Sequence, residues 1–159
     1  MKQINKSSYS LISFILGVIA VGMIFLPAIL YSDTDSSFTG IQAVFGTEFA
    51  SLGIFGSGQI ELNILCIIAF ALPVLAGIIA VLYNNGKGAI ISLALFTVGT
   101  VLLFLLPSFV TATVTVLGET SAIDVSWTMG YGLIIAVCAS ICGAIISLAK
   151  LMTSGEKNN

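Results

Sequence analysis

Long apolar runs alternate with polar joints of very unequal length along this chain. Four runs stand out: about 9–31 (YSLISFILGVIAVGMIFLPAILY), 62–83 (LNILCIIAFALPVLAGIIAVLY), 88–107 (GAIISLALFTVGTVLLFLLP) and 129–151 (MGYGLIIAVCASICGAIISLAKL). About 20 apolar residues in a helix cross a hydrocarbon core of roughly 30 Å, so each run predicts a membrane-spanning helix. Lys150, at the end of the fourth, is the one charge within them. Asn84-Asn85-Gly86-Lys87 is a short polar joint whose Asn and Gly tolerate left-handed backbone angles, which makes the second and third spans antiparallel neighbours. The joints at 32–61 and 108–128 are long enough to carry structure of their own. Lys2 and Lys6 before the first run also suit a signal peptide. That run, however, exceeds an apolar core of roughly 7–15 residues, PAILYSDTD offers no A-x-A site, and no cysteine follows for a lipid anchor, so a retained span is expected.

Within the first long joint lies FTGIQAVFGTEFASLGIFGSGQ, residues 38–59. Phe38, Ile41, Phe45, Phe49, Leu52 and Phe55 follow one another at intervals of 3, 4, 4, 3 and 3, which puts all six on one stripe of a helix. Strand alternation fits less well, because Val44-Phe45 and Ile54-Phe55 place apolar residues on both faces. The pattern therefore predicts an amphipathic helix, weakened by Gly40, Gly46 and Gly53 at about 1 kcal/mol each. Its polar side carries Glu48 and no base, unlike a helix lying on anionic lipid, so the expected use is a lid packed on the spans. A segment re-entering the membrane at GIFGSG, 53–58, is the alternative. In the second joint, Val110, Ala112, Val114 and Val116 alternate with Thr111, Thr113 and Thr115, the period-2 pattern of a half-buried strand. Such a strand needs a partner, from the first joint or from another copy; an extended loop with its valines turned inward is the other reading.

The fourth span carries two rows of small residues, Gly132, Ala136, Ser140 and Ala144 beside Ala139, Gly143 and Ser147. Small side chains let helix backbones approach closely in lipid, so these rows mark packing on the other spans of the same chain or on a partner. Ser13 and Gly17 in the first span, with Ala69, Pro73 and Gly77 in the second, are their expected counterparts. Pro73, in mid-span, is a candidate hinge. Cys66, Cys138 and Cys142 all fall within spans and offer no disulfide framework in the joints. Cys138 and Cys142 are one turn apart, but without histidine or an intramembrane acid they lack a metal-ligand set and read as packing residues.

Composition agrees with four spans. Apolar residues make up 58% of 159 and charged ones 8%, with a mean hydropathy of +1.16, against roughly 45–50% and about 25% in soluble domains. Charge adds orientation. Lys2, Lys6, Lys87, Lys150 and Lys157 all fall on one side of a four-span threading, which the positive-inside rule makes the cytoplasm, with both termini in it. Asp33, Asp35, Glu48, Glu61, Glu119 and Asp124 fall on the other, and only Glu156 joins the lysines. The chain has no His, no Arg, no buried carboxylate, no phosphate loop and no nucleophile elbow, so no enzyme activity, cofactor or metal is expected. A net charge of −2 and dispersed lysines argue against nucleic acid.

The order of span, long joint, two spans on a tight turn, second joint and span resembles the claudin-like tetraspan layout in topology only; the Trp…Gly-Leu-Trp…Cys…Cys pattern is missing, and the single Trp127 is in the second joint. The FLPAILY exit followed by FTGIQAVFG is similar to small four-span membrane proteins of low-GC Gram-positive bacteria, a resemblance over residues 10–46 that implies no activity. The expected fold is thus an all-α, single-domain bundle of four transmembrane helices with both termini inside and a small structured cap outside. The expected function is that of a multi-pass cell-membrane protein acting by packing, as accessory subunit, scaffold or self-assembling tetraspan. Its partners would be the bilayer and either its own copies or another membrane protein. The alternative is a small channel or permease component whose acidic outer face gathers cations.

Overall fold

The computed structural model describes residues 6–31, 36–51 and 56–155. Four helices long and apolar enough to cross a membrane form its body: α1 (Lys6–Gly22), α3 (Ile64–Leu82), α4 (Gly86–Phe104) and α6 (Tyr131–Gly155). Each packs on two others in the cyclic order α1, α3, α4, α6, so the chain runs up and down around a square. As the short joint requires, α3 and α4 are neighbours; the Asn85 side chain caps α4 by accepting from the Gly88 N–H at 2.8 Å. Lys6, Lys87 and Lys150 mark the end of the bundle where α1 and α4 begin and α3 and α6 finish. Most other side chains on the outer surfaces of the helices are apolar, which suits helices of this length to a hydrocarbon surrounding.

The chain is not all-α. At the end of the bundle opposite the lysines, the joints fold into two antiparallel sheets with two short helices, α2 (Gly40–Phe45) and α5 (Leu106–Phe109). The first sheet has the order β2 (Ser37–Thr39), β1 (Pro27–Tyr31), β7 (Trp127–Met129), and the second runs β3 (Thr47–Ser51), β4 (Gly56–Ile60), β5 (Ala112–Val116), β6 (Glu119–Ile123). The first span is accordingly shorter than 9–31. Its α-helix ends at Gly22, a 3-10 turn covers Met23–Phe25, and PAILY becomes the central strand of the first sheet. Pro27 lacks the N–H that a continuing helix would use, and flanking strands on both sides satisfy the backbone instead.

The expected lid helix is also corrected. Only Gly40–Phe45 is helical, started by a capping box in which the Thr39 N–H donates to Gln42 Oε1 at 2.9 Å and the Gln42 N–H to Thr39 Oγ1 at 3.4 Å. Gly46, at φ +84°, ends it, and the chain then pairs as the hairpin β3–β4. The expected strand in the second joint is present as β5, and its partner comes from the first joint: β5 pairs with β4 in unbroken register from Gly56↔Val116 to Ile60↔Ala112.

Candidate interaction surface

The two sheets are built from both joints and pack on the ends of the long helices. Ile29, Phe38, Val44, Ile60, Leu106, Val110 and Leu133 are buried in one core that continues into Cys66, Ala69, Phe70 and Leu103 of the bundle. An aromatic chain joins the two sheets: Tyr31 meets Trp127 at 5.8 Å between centroids, Trp127 meets Phe38 edge-on at 5.8 Å, and Phe38 meets Phe49 edge-on at 6.4 Å. Asn63 secures the start of α3. Its Oδ1 accepts from the Leu65 N–H at 2.9 Å, its amide donates to the Phe109 carbonyl, and its N–H donates to the Val44 carbonyl at 3.1 Å.

The residues of the expected stripe separate. Phe38 is buried and Ile41 and Phe49 half-buried, whereas Phe45 is 60% exposed; Leu52 and Phe55 lie outside the described residues. Glu48 and Ser51 face solvent as expected, but Gln42 is half-buried and held in the capping box. Strand geometry explains Phe49: its ring covers Gly58 on the neighbouring strand, where a Cβ would lie 2.8 Å from the ring. The outer part of the second sheet is different. Glu119–Ile123 is exposed throughout, and Val114, Val116, Leu117, Glu119, Ser121 and Ile123 line an open hollow of about 580 Å³.

The small-residue rows of α6 face inward. Gly132, Ala136, Ala139, Ser140, Gly143 and Ser147 are buried, and Ala144 is half-buried. Gly143 makes room for the fully buried Phe96 of α4, and Gly132 for Leu26 and the Pro27 carbonyl. Gly17 and Gly77 let α1 and α3 approach closely: a Cβ on Gly17 would lie 2.5 Å from the Pro73 carbonyl oxygen, and one on Gly77 would lie 2.8 Å from the Phe14 Cα. Pro73, the candidate hinge, sits within a continuous α3, packed against Gly17 and Gly99. Cys66 is buried, while Cys138 and Cys142 lie on the outer side of α6 and not in its packing face.

Polar residues also meet inside the bundle. Ser92 Oγ donates to the Ala76 carbonyl at 2.9 Å and lies 3.1 Å from Ser147 Oγ, which is therefore the donor of that pair. Lys150, fully buried, donates from Nζ to Ser10 Oγ and to the Ala80 carbonyl at 2.8 Å each, and to the Tyr83 carbonyl at 3.4 Å; Ser10 in turn donates to Asn84 Oδ1 at 3.1 Å. A cation on the last carbonyls of α3 is favoured by the helix dipole, and the cluster ties α1, α3 and α6 together. Sequence reasoning treated Lys150 as a boundary charge, although it continues the helical phase of Gly143 and Ser147. Comparison of the chain with protein-family models, with curated proteins and with solved structures finds no match.

Proposed function

We propose that this is a non-enzymatic, multi-pass plasma-membrane protein that acts by packing and interaction, as an accessory subunit, scaffold or self-assembling component. Both termini lie in the cytoplasm and the cap lies outside, a placement supported by the lysines at one end and the acids in the joints. The observation that carries the reading is a closely packed bundle joined to a built cap with an uncovered face. Phe96 and Leu103 fill the bundle interior, and the small-residue rows that would suit helix partners are used within the chain. Recognition therefore falls to the cap. Photo-crosslinking residues placed at Leu117 and Thr128 should capture a second protein in intact cells, and one at the lipid-facing Ile141 should not. Capture from Ile141 alone would overturn the proposal.

One observation favours the channel alternative. The hydroxyls of Ser13 and Ser140 are buried with no hydrogen-bond partner, and buried polar groups of this kind are commonly satisfied by water or solute. Purified protein in liposomes separates the two readings. Ion flux equal to that of empty liposomes is expected; flux that Ser140→Val abolishes would place the channel ahead.

A further inference from the structure

The second sheet ends at β6, and among the described residues no strand pairs with its far side. Its unbroken pairing with β5 uses one row of backbone N–H and C=O groups and leaves the other row without a strand partner among the described residues. Exposed edges are ordinarily blunted by charged side chains, proline or a bulge; ETSAI has neither proline nor bulge, and its one charge is Glu119 at its first position. Glu119, Ser121 and Ile123 share a sheet face with Val116, Val114 and Ala112, as their cross-strand pairing requires. Toward β3 that face is covered by Phe49, whereas toward β6 it opens as the hollow. At the tip, Leu117 is 80% exposed and holds φ +53°, a left-handed conformation that glycine or asparagine adopts more easily. Retaining an exposed leucine there gives the hollow an apolar rim.

Charge selects the occupant. Asp33, Asp35, Glu48, Glu61, Glu119 and Asp124 are the only ionisable acids or bases of residues 32–61 and 108–128, and all are acidic. A second copy would bring acid against acid, and anionic lipid would do the same. Glu119 within β6 and Asp124 just beyond it are instead complementary to a cation-bearing strand. We propose that the β6 edge accepts an extended, Lys- or Arg-bearing segment of a partner protein as a fifth strand. On the face of the hollow its apolar side chains adjoin Ile123 and its cationic side chain meets Glu119, with the apolar rim at Leu117 close by. Strand addition of this kind draws affinity from backbone hydrogen bonds and specificity from alternate side chains.

This inference rests on the cap being the interaction surface. The test uses the full chain in zwitterionic nanodiscs and three labelled peptides of alternating Val and Thr: one with lysines near its ends, one with glutamates there, and the lysine peptide N-methylated at alternate amides. The lysine peptide alone should bind, and Glu119→Lys should weaken it by roughly tenfold while admitting the glutamate peptide. Equal binding of the methylated peptide, a preference unchanged by Glu119→Lys, or no binding of any peptide would overturn strand addition. So would disulfide cross-linking of Ala122→Cys between copies in native membranes, which would make a second copy the occupant. If the peptides fail while Thr128 still captures a protein in cells, the cap remains the interaction surface and only the β6 mode falls.

Discussion

A lysine amine fully buried in an apolar helix bundle needs acceptors, and Lys150 has them in the Ser10 hydroxyl and the carbonyls of Ala80 and Tyr83. Lys150→Met keeps the bulk of the side chain and removes those bonds, so it should destabilise by on the order of 3 kcal/mol in detergent unfolding. An unchanged midpoint would mean that the cluster contributes nothing to stability. Gly17 is the second sensitive position, because its neighbour is the Pro73 backbone carbonyl, which cannot rotate away. Gly17→Leu should destabilise by about 1–3 kcal/mol or prevent folding, and Ala144→Leu, at a half-buried site, should cost less. The phenylalanines of the first joint divide in the same way. Phe49→Ala should cost on the order of 2 kcal/mol, and Phe45→Ala at 60% exposure less than about 1 kcal/mol, reversing the equal burial that the helical stripe implies.

Elements of the cap depend on a few polar junctions. Asn63 caps α3 and holds the Phe109 carbonyl of the other joint, so Asn63→Ala should destabilise by about 1–2 kcal/mol and loosen both joints together. Hydrogen exchange would show this as faster exchange in β5 as well as at the start of α3; loss confined to α3 would contradict the coupling. The β5–β6 hairpin offers the opposite case. Leu117→Asn should stabilise the turn by roughly 1 kcal/mol, since asparagine accepts the left-handed backbone, while reducing binding at the hollow that Leu117 rims. Stability and binding would then move in opposite directions.

For the molecule as a whole, threading is the decisive prediction. In a variant with Cys66, Cys138 and Cys142 replaced, a cysteine at Asp124 should react with an impermeant thiol reagent on intact cells, and one at Lys87 should react only after lysis. Labelling of Lys87 from outside would invert the protein and move the cap, with its acidic β6 edge, to the cytoplasm.

Apolar run length located the four helices that are long and apolar enough to cross a membrane, though not the end of the first, and the Asn-Asn-Gly-Lys joint determined that α3 and α4 are neighbours. The extended backbone of β5 was legible too, since period-2 alternation of Val and Thr suits it, but whether that segment paired as a strand or lay as a loop was not. Tertiary structure decided the rest. PAILY reads as the end of a span because hydropathy does not distinguish an apolar strand from an apolar helical turn, and only β2 and β7 on either side make it a strand. The stripe from Phe38 to Phe55 fits a helix by spacing, yet Gly46 breaks the phase and the β4 ladder, available only after the second joint contributes β5, draws Thr47–Ser51 into a sheet. The small rows of α6 carry no label saying which surface they meet; at Gly143 it is Phe96, a residue from another helix, that fills the space. Local pattern specifies an element where backbone hydrogen bonds close within it, as in a helix, and leaves it open where they close on a distant strand.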